Sequence, residues 1–321
     1  MRVLVLGGAG FLGRHVAAAL LRRGHAVTIG SRAAGSAADA PAISCQVRQA
    51  RFEALTNAAD WSPLLGDVDA VVNCVGILRE RGAATYECVH HTAPAALAAA
   101  CAARGTRLVH VSALGLDVHA RSGFIRSKLG GEAAIRTSGA DYTIVRPSLL
   151  EGEGGFGARW LRALARWPVH CVPADAAGRI AVLDVGDAGF AIARLAELPG
   201  AGCREAELGG LERLTLAEHL AALRASPRPA YVVRIPALLA RIASHACDAL
   251  HFSPYSFGHL ELLRRDNVPR PNLLPSLLGA PPRRRHPRVT DGRAEVSARG
   301  RASLRPSAVR DGGNTRSARA P

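Results

Sequence analysis

The sequence predicts an α/β protein: a doubly wound parallel sheet with a smaller C-terminal lobe on the substrate side and a disordered basic tail. Three observations predict it. Short apolar runs alternate with helical periodicity as far as Pro199. The first run ends in a glycine cluster that opens a helix. Beyond Gly279 the large apolar residues thin to Val289, Val296, Leu304 and Val309, too few to bury a core.

Taken in order, Arg2–Leu6 reads as a buried strand, because an apolar run closed by glycines suits the centre of a parallel sheet. Phe11–Arg23 has helical periodicity and stops at Gly24, and Ala26–Gly30 is a second strand. Further strands are expected at 43–47, 69–75, 107–112, 142–146 and 180–183. Helices are expected at 61–65, 84–104, 124–138, 156–165 and 185–198. Past Pro199, 204–208 suits a strand and 215–224 a helix with Glu218 near its start, while Pro227 and Pro229 break the chain. The stretch 236–251 is amphipathic and could cover a core, grip a partner or lie on a membrane surface. The expected division is 1–200 for the sheet domain, with an insertion at about 148–178, then 201–279 for the C-terminal lobe and 280–321 for the tail.

Composition narrows the function classes. With 321 residues, 48% hydrophobic and 21% charged, the chain can bury a large core, and at 4% aromatics that core falls to Ala, Leu and Val. The formal charge of +15 invites a nucleic-acid reading. Residues 280–321, however, carry 11 Arg against Asp291, Glu295 and Asp311, so the tail holds +8 and the body +7. A basic tail without aromatics to stack bases argues against a specific nucleic-acid site. Seven scattered cysteines without a C-x-x-C pair suit reduced thiols and offer no metal site. No apolar run is long enough to span a bilayer, and glycines at 7, 8, 10 and 13 interrupt the apolar core that a secretory signal needs. The expected location is cytoplasmic, with room for a protein partner or contact with the inner face of a membrane.

The glycine cluster carries the chemistry. Gly7-x-x-Gly10-Phe11-Leu12-Gly13 follows a strand and opens a helix, the context in which a Rossmann-type dinucleotide site forms. Gly7 permits the tight turn, Gly10 lets a pyrophosphate approach, and Gly13 lets helix pack on strand. The second strand ends Gly30-Ser31-Arg32 without a carboxylate for a ribose 2′-hydroxyl. A hydroxyl and a guanidinium there favour NADP(H) over NAD(H), although an ordinary solvated arginine would look the same. Asn73-Cys74-Val75-Gly76 closes another strand, where Gly76 either lets a ribose or nicotinamide lie flat or makes a plain turn.

Together with Val111-Ser112-Ala113, Phe124-x-x-x-Lys128, Arg146-Pro147 and Leu183-Asp184-Val185, these motifs make the chain resemble the extended and atypical short-chain dehydrogenase/reductase superfamily, the epimerase/dehydratase-like group. Within it, 75–80, 109–115, 260–263 and 266–268 are most similar to the family of the Rossmann-type accessory subunit of respiratory complex I and its bacterial relatives. The resemblance covers about 1–279. It implies a Ser, Tyr and Lys for proton transfer beside a nicotinamide. Ser112 and Lys128 match the first and last, but Phe124 stands at the tyrosine position and has no O–H to exchange. His90 replaces an asparagine of the usual proton path, and His90, His119, Ser122 and Ser127 are candidate substitutes. Lys128 is the chain's one lysine among 41 basic residues, which suggests a site that a planar guanidinium would not fit. The resemblance implies a nucleotide-binding or accessory module linked to respiratory or quinone metabolism. The alternative is an NAD(P)-dependent oxidoreductase or epimerase, acting on a carbonyl or quinone-like molecule through a substitute proton donor.

Overall fold

A computed structural model describes residues 1–33, 45–226, 228–250 and 255–285. In chain order the elements are β1 (Arg2–Leu6), α1 (Gly13–Arg22), β2 (Ala26–Ser31), β3 (Gln46–Gln49), α2 (Ser62–Leu65), β4 (Ala70–Asn73), α3 (Ala93–Arg104), β5 (Arg107–Val111), α4 (Gly123–Thr137) and β6 (Tyr142–Pro147). There follow β7 (Leu150–Glu151), α5 (Phe156–Ala165), β8 (Val169–Pro173), β9 (Arg179–Ile180), β10 (Leu183–Asp184), α6 (Val185–Glu197) and β11 (Glu205–Leu208). The last are β12 (Leu214–Thr215), α7 (Leu216–Leu223), β13 (Tyr231–Ile235), α8 (Ala237–Leu250), α9 (Phe257–Leu263) and α10 (Leu274–Leu278).

Seven parallel strands form the central sheet in the order β11-β6-β5-β4-β1-β2-β3. β1, β4 and β5 are apolar on both faces because helices cover both, which is what a parallel sheet requires. α1 and α6 cover one face around Val16, Leu20, Ile192 and Leu195, and α3 covers the other around Leu97, with Trp61 and Ile135. Strand order reverses between β1 and β4, so a crevice opens at their C-terminal ends, the usual ligand position in such sheets.

Several elements differ from expectation for identifiable reasons. The stretch 84–104 is not one helix: it opens with a bridge between Arg81 and Ala84, and Cys88–Thr92 forms a π-helical turn before α3. Pro94 has no N–H to give the His90 carbonyl, and the ladder slips by one residue there. The freed carbonyl becomes a packing surface, since a Cβ on Gly131 of α4 would lie 2.0 Å from His90 O. The strand expected at 43–47 begins at Gln46, residues 43 and 44 lying outside the described residues. The run 180–183 is split between β9 and β10, which pair outside the main sheet, and the seventh strand is β11, from the segment expected to start the C-terminal lobe. The short strands β7, β8 and β13 carried no clear sequence signal. Within 280–285 only Pro282 is buried, while Arg283 and Arg285 reach Asp184 at the start of α6. Residues 286–321 of the expected tail lie outside the described residues.

Candidate active site

The loop after β1 is shaped by backbone contacts that only glycine allows. Gly7 sits at φ 71° and donates its N–H to Gly30 O at 2.8 Å, which ties the turn to β2. A Cβ on Gly13 would fall 2.1 Å from Gly7 O, so α1 packs against the turn only because that position has no side chain. Neither an acidic residue in its first turn nor a side-chain cap neutralises the positive end of α1. This N-terminus and the crevice wall suit a diphosphate.

Across the crevice, Gly30 is closed on one side by Leu6, and Ser31 and Arg32 line the rim. The Arg32 carbonyl accepts from Gln49 Nε2 at 3.1 Å and Arg51 Nε at 3.4 Å, so a second guanidinium lies beside this corner. Arg51 went unnoticed in the sequence because β3 gave no hint of its neighbour.

The floor is a set of buried polar groups. Asn73 does not line the cavity: its Oδ1 accepts the Val75 N–H at 3.0 Å and its amide meets His110 Nδ1 at 3.1 Å, which fixes the strand end before Gly76. Burial, then the charge of Lys128, pushes His110 down to about 3. Gly76 lies beside both His90 Nε2 and Lys128 Nζ, and a Cβ there would stand 3.8 and 4.0 Å from them. Lys128 is buried one turn after Phe124, with Nζ 5.6 Å from the centre of its ring. Desolvation lowers it to about 8, against the opposing pull of Glu132. Glu132 is itself buried, which favours its neutral form, but paired hydrogen bonds from Arg146 at 2.9 and 2.6 Å outweigh that and hold its carboxyl below the usual range. Ser112, at the end of β5, also favours the Glu132 carboxylate, yet its buried Oγ completes no hydrogen bond of good geometry among the described residues. Such a hydroxyl has capacity left for a ligand.

Three rings enclose Phe124. Tyr86 and His90 meet it edge-on at 5.7 and 5.5 Å, and His259 of α9 stacks on it at 5.6 Å. His90 accepts the Ile77 N–H at Nε2 and meets Ser127 Oγ at Nδ1, while Ser127 donates to Phe124 O. That pattern suits only the neutral imidazole, and burial pushes its pKa well below the ordinary value. His90 is therefore a brace between the π-helical turn and α4. Ser122 caps α4, accepting from Ile125 N–H at 3.3 Å, and His119 is exposed outside the cavity. Of the four substitutes considered, His90 alone lines the cavity.

His259 and Asn267 were missed, although both lie within or next to the motif stretches of the C-terminal lobe. Burial lowers His259 to about 4, and Ser256 Oγ lies 2.5 Å from its Nδ1. Asn267 donates to Leu114 O at 3.0 Å, leaving Oδ1 buried with no partner among the described residues. Both line a single cavity of about 930 Å³ that also takes in Gly7, Gly10, Phe11, Leu12, Ser31, Arg32, Val75, Gly76, Ser112, Phe124 and Lys128. Gly13 stands behind it and shapes the loop. From Gly76 the cavity continues past Trp160, Leu161 and Leu164 to Ile235 and Ala240, with mostly apolar walls.

Residues 7–165 match the family described as NAD(P)H-binding. The chain carries an NAD(P)H-binding domain. The cradle fits such a group, for the glycine turn, the uncapped α1 and the flat Gly76 sit on one crevice. Solved structures of an oxidoreductase and an epimerase share this fold. An Escherichia coli NADPH-dependent quinone oxidoreductase with NADPH bound superposes with a TM-score of 0.70 at 20% identity, over 88% of this chain and 96% of that one. The UDP-glucose 4-epimerase of Thermotoga maritima superposes at 0.57 and 16% identity, over 73% and 86%. In sequence the chain is 27% identical over 208 residues to a ceramide reductase of Caulobacter vibrioides, 63% of either protein's length.

Proposed function

We propose that the protein is an NADP(H)-dependent reductase of a ketone carried on a long apolar molecule. The observation that carries this reading is the cavity. It runs unbroken from the lysine and serine at Gly76 into an apolar channel of the C-terminal lobe, far larger than a nicotinamide needs. The likeness to a ceramide reductase supports the same substrate class, a ketone on a ceramide-like two-chain amide. NADPH, when bound, supplies the hydride. Ser112 Oγ binds the carbonyl oxygen, and Lys128 Nζ gives that oxygen its proton and is recharged from solvent. A lysine lowered to about 8 is still mostly charged at pH 7 and is a far better acid than one at its ordinary value. Glu132, one helical turn away, holds the ammonium's charge in place. Ser31 and Arg32, with Arg51 beside them, favour a 2′-phosphate, hence NADP(H).

Phe124 favours a second reading, a nucleotide-holding accessory module linked to respiratory or quinone metabolism, because the superfamily's usual proton donor is missing. One measurement separates the two. Purified protein is titrated with NADPH and NADH by fluorescence and then assayed for NADPH oxidation with long-chain keto amides, long-chain ketones and quinones. Turnover lost in Lys128→Met supports the reductase; tight NADPH binding without turnover across the panel leaves the module.

A further inference from the structure

Among the described residues, nine of the fifteen exposed large apolar side chains gather on β8, β13, α8 and the turn before β8. Trp167 is 65% exposed, Leu238 68%, Leu250 69% and Tyr231 79%, with Val232, Val233, Leu239 and Ile242 between them. Among the described residues β13 pairs with β8 alone, and α8 buries only Ala240 and Ser244 along its length. A patch this large on one surface needs a partner. Its unpaired charges are of one sign: residues 154–174 and 219–247 hold seven arginines and no acidic residue, and Asp248, further along α8, is engaged by Arg79 and by the Phe257 N–H. Of these, Arg166, Arg228, Arg234 and Arg241 are exposed, whereas Arg224 turns inward to the Ala165 and Trp167 carbonyls.

We propose that this face docks on an anionic lipid bilayer, with α8 lying in the plane of the headgroups. The charge pattern selects that occupant. A second copy would set arginines against arginines, because Asp248, the carboxylate of α8, is already taken by Arg79, while anionic headgroups neutralise them and acyl chains take up the leucines. Trp167 and Tyr231 are the side chains that favour a membrane interface. No helix among the described residues is long and apolar enough to cross a membrane, so α8 lies on the surface. The inner side of the same elements is cavity wall: Pro173, Ile235, Ala240 and Ala243 line the apolar channel while Leu238, Leu239 and Ile242 face out. An apolar substrate can then pass from the leaflet to Lys128 without crossing water, a consequence that rests on the reductase reading, whereas the docking does not.

The test is sedimentation of the full chain with vesicles of phosphatidylcholine, with and without phosphatidylglycerol. Wild type is expected to pellet with the anionic vesicles only. Leu238→Ser/Leu239→Ser/Ile242→Ser and Arg228→Glu/Arg234→Glu should each lower that partition at least ten-fold, with NADPH affinity unchanged as proof of folding. Residues 286–321 are present in every protein compared, so their arginines contribute equally. Failure of wild type to bind, unchanged binding of the triple variant, or a dimer that dissociates in the triple variant would each overturn the proposal. Turnover of a short water-soluble ketone is read in parallel: its absence with vesicle binding intact counts against the reductase alone, and its presence without vesicle binding counts against the docking alone.

Discussion

Removing the one buried ammonium should stabilise the empty protein, and the gain should fade as pH rises. Burial takes Lys128 from 10.5 to about 8, so the folded state holds its proton less tightly than the unfolded chain. The sign follows from linkage: wherever the unfolded state binds more protons, stability increases with pH, here from about 8 to about 10.5. A shift of that size corresponds to a penalty of about 3 kcal/mol at pH 7 and about 1.4 kcal/mol at pH 9.5. Lys128→Met keeps the shape and deletes the charge. Urea unfolding of the nucleotide-free protein, followed by tryptophan fluorescence, should therefore give a variant more stable than wild type by up to about 3 kcal/mol at pH 7. That advantage should shrink by about 2 kcal/mol at pH 9.5. The same substitution should weaken nucleotide binding and abolish turnover, the trade expected where function holds a charge in an apolar site. A stability difference identical at the two pH values would refute the reasoning, because it would mean that Lys128 carries no desolvation penalty in the folded protein.

Other perturbations follow from the same geometry. Arg32→Ala should weaken NADPH at least ten-fold more than NADH in fluorescence titrations, the loss of one charge-assisted phosphate contact worth about 1.5–3 kcal/mol; equal weakening removes the 2′-phosphate assignment. Phe124→Tyr adds a hydroxyl among Tyr86, His90 and His259; steady-state assays should show a higher kcat and a slower decline above pH 8 if Lys128 is otherwise the only acid. Arg146→Met should destabilise the protein by up to about 3 kcal/mol at pH 7, because buried Glu132 would lose its two-bond donor and keep only the single bond from Arg136 at 2.9 Å. Glu132 is held below the ordinary carboxylate value in wild type, so its contribution is complete above about 4.5 and is lost as pH falls through the lowered folded value. In the variant, acid should instead narrow the gap to wild type, which urea unfolding at pH 7 and pH 5 would detect.

The glycine turn was legible in the sequence because its requirements are local. A positive φ at Gly7 and the absence of a Cβ at Gly13 are met within one strand–turn–helix, and seven residues state both. The alternation of strand and helix was legible for the same reason: periodicity is a property of a short window. The helix start at 84–104 was misjudged because a proline's effect on the carbonyl four residues earlier showed only once Gly131 packed against it.

By itself, the sequence determined the sheet, the dinucleotide crevice and the lysine–phenylalanine spacing that directs attention to Lys128. Only the tertiary structure decided that β11 closes the sheet, that His259 roofs Phe124, that His90 is a neutral brace, and that the crevice beside Gly76 and Lys128 opens into an apolar channel walled by β13 and α8. Those features depend on burial and on contacts between distant segments. No short window of residues encodes them, because desolvation and packing exist only when the whole chain is folded.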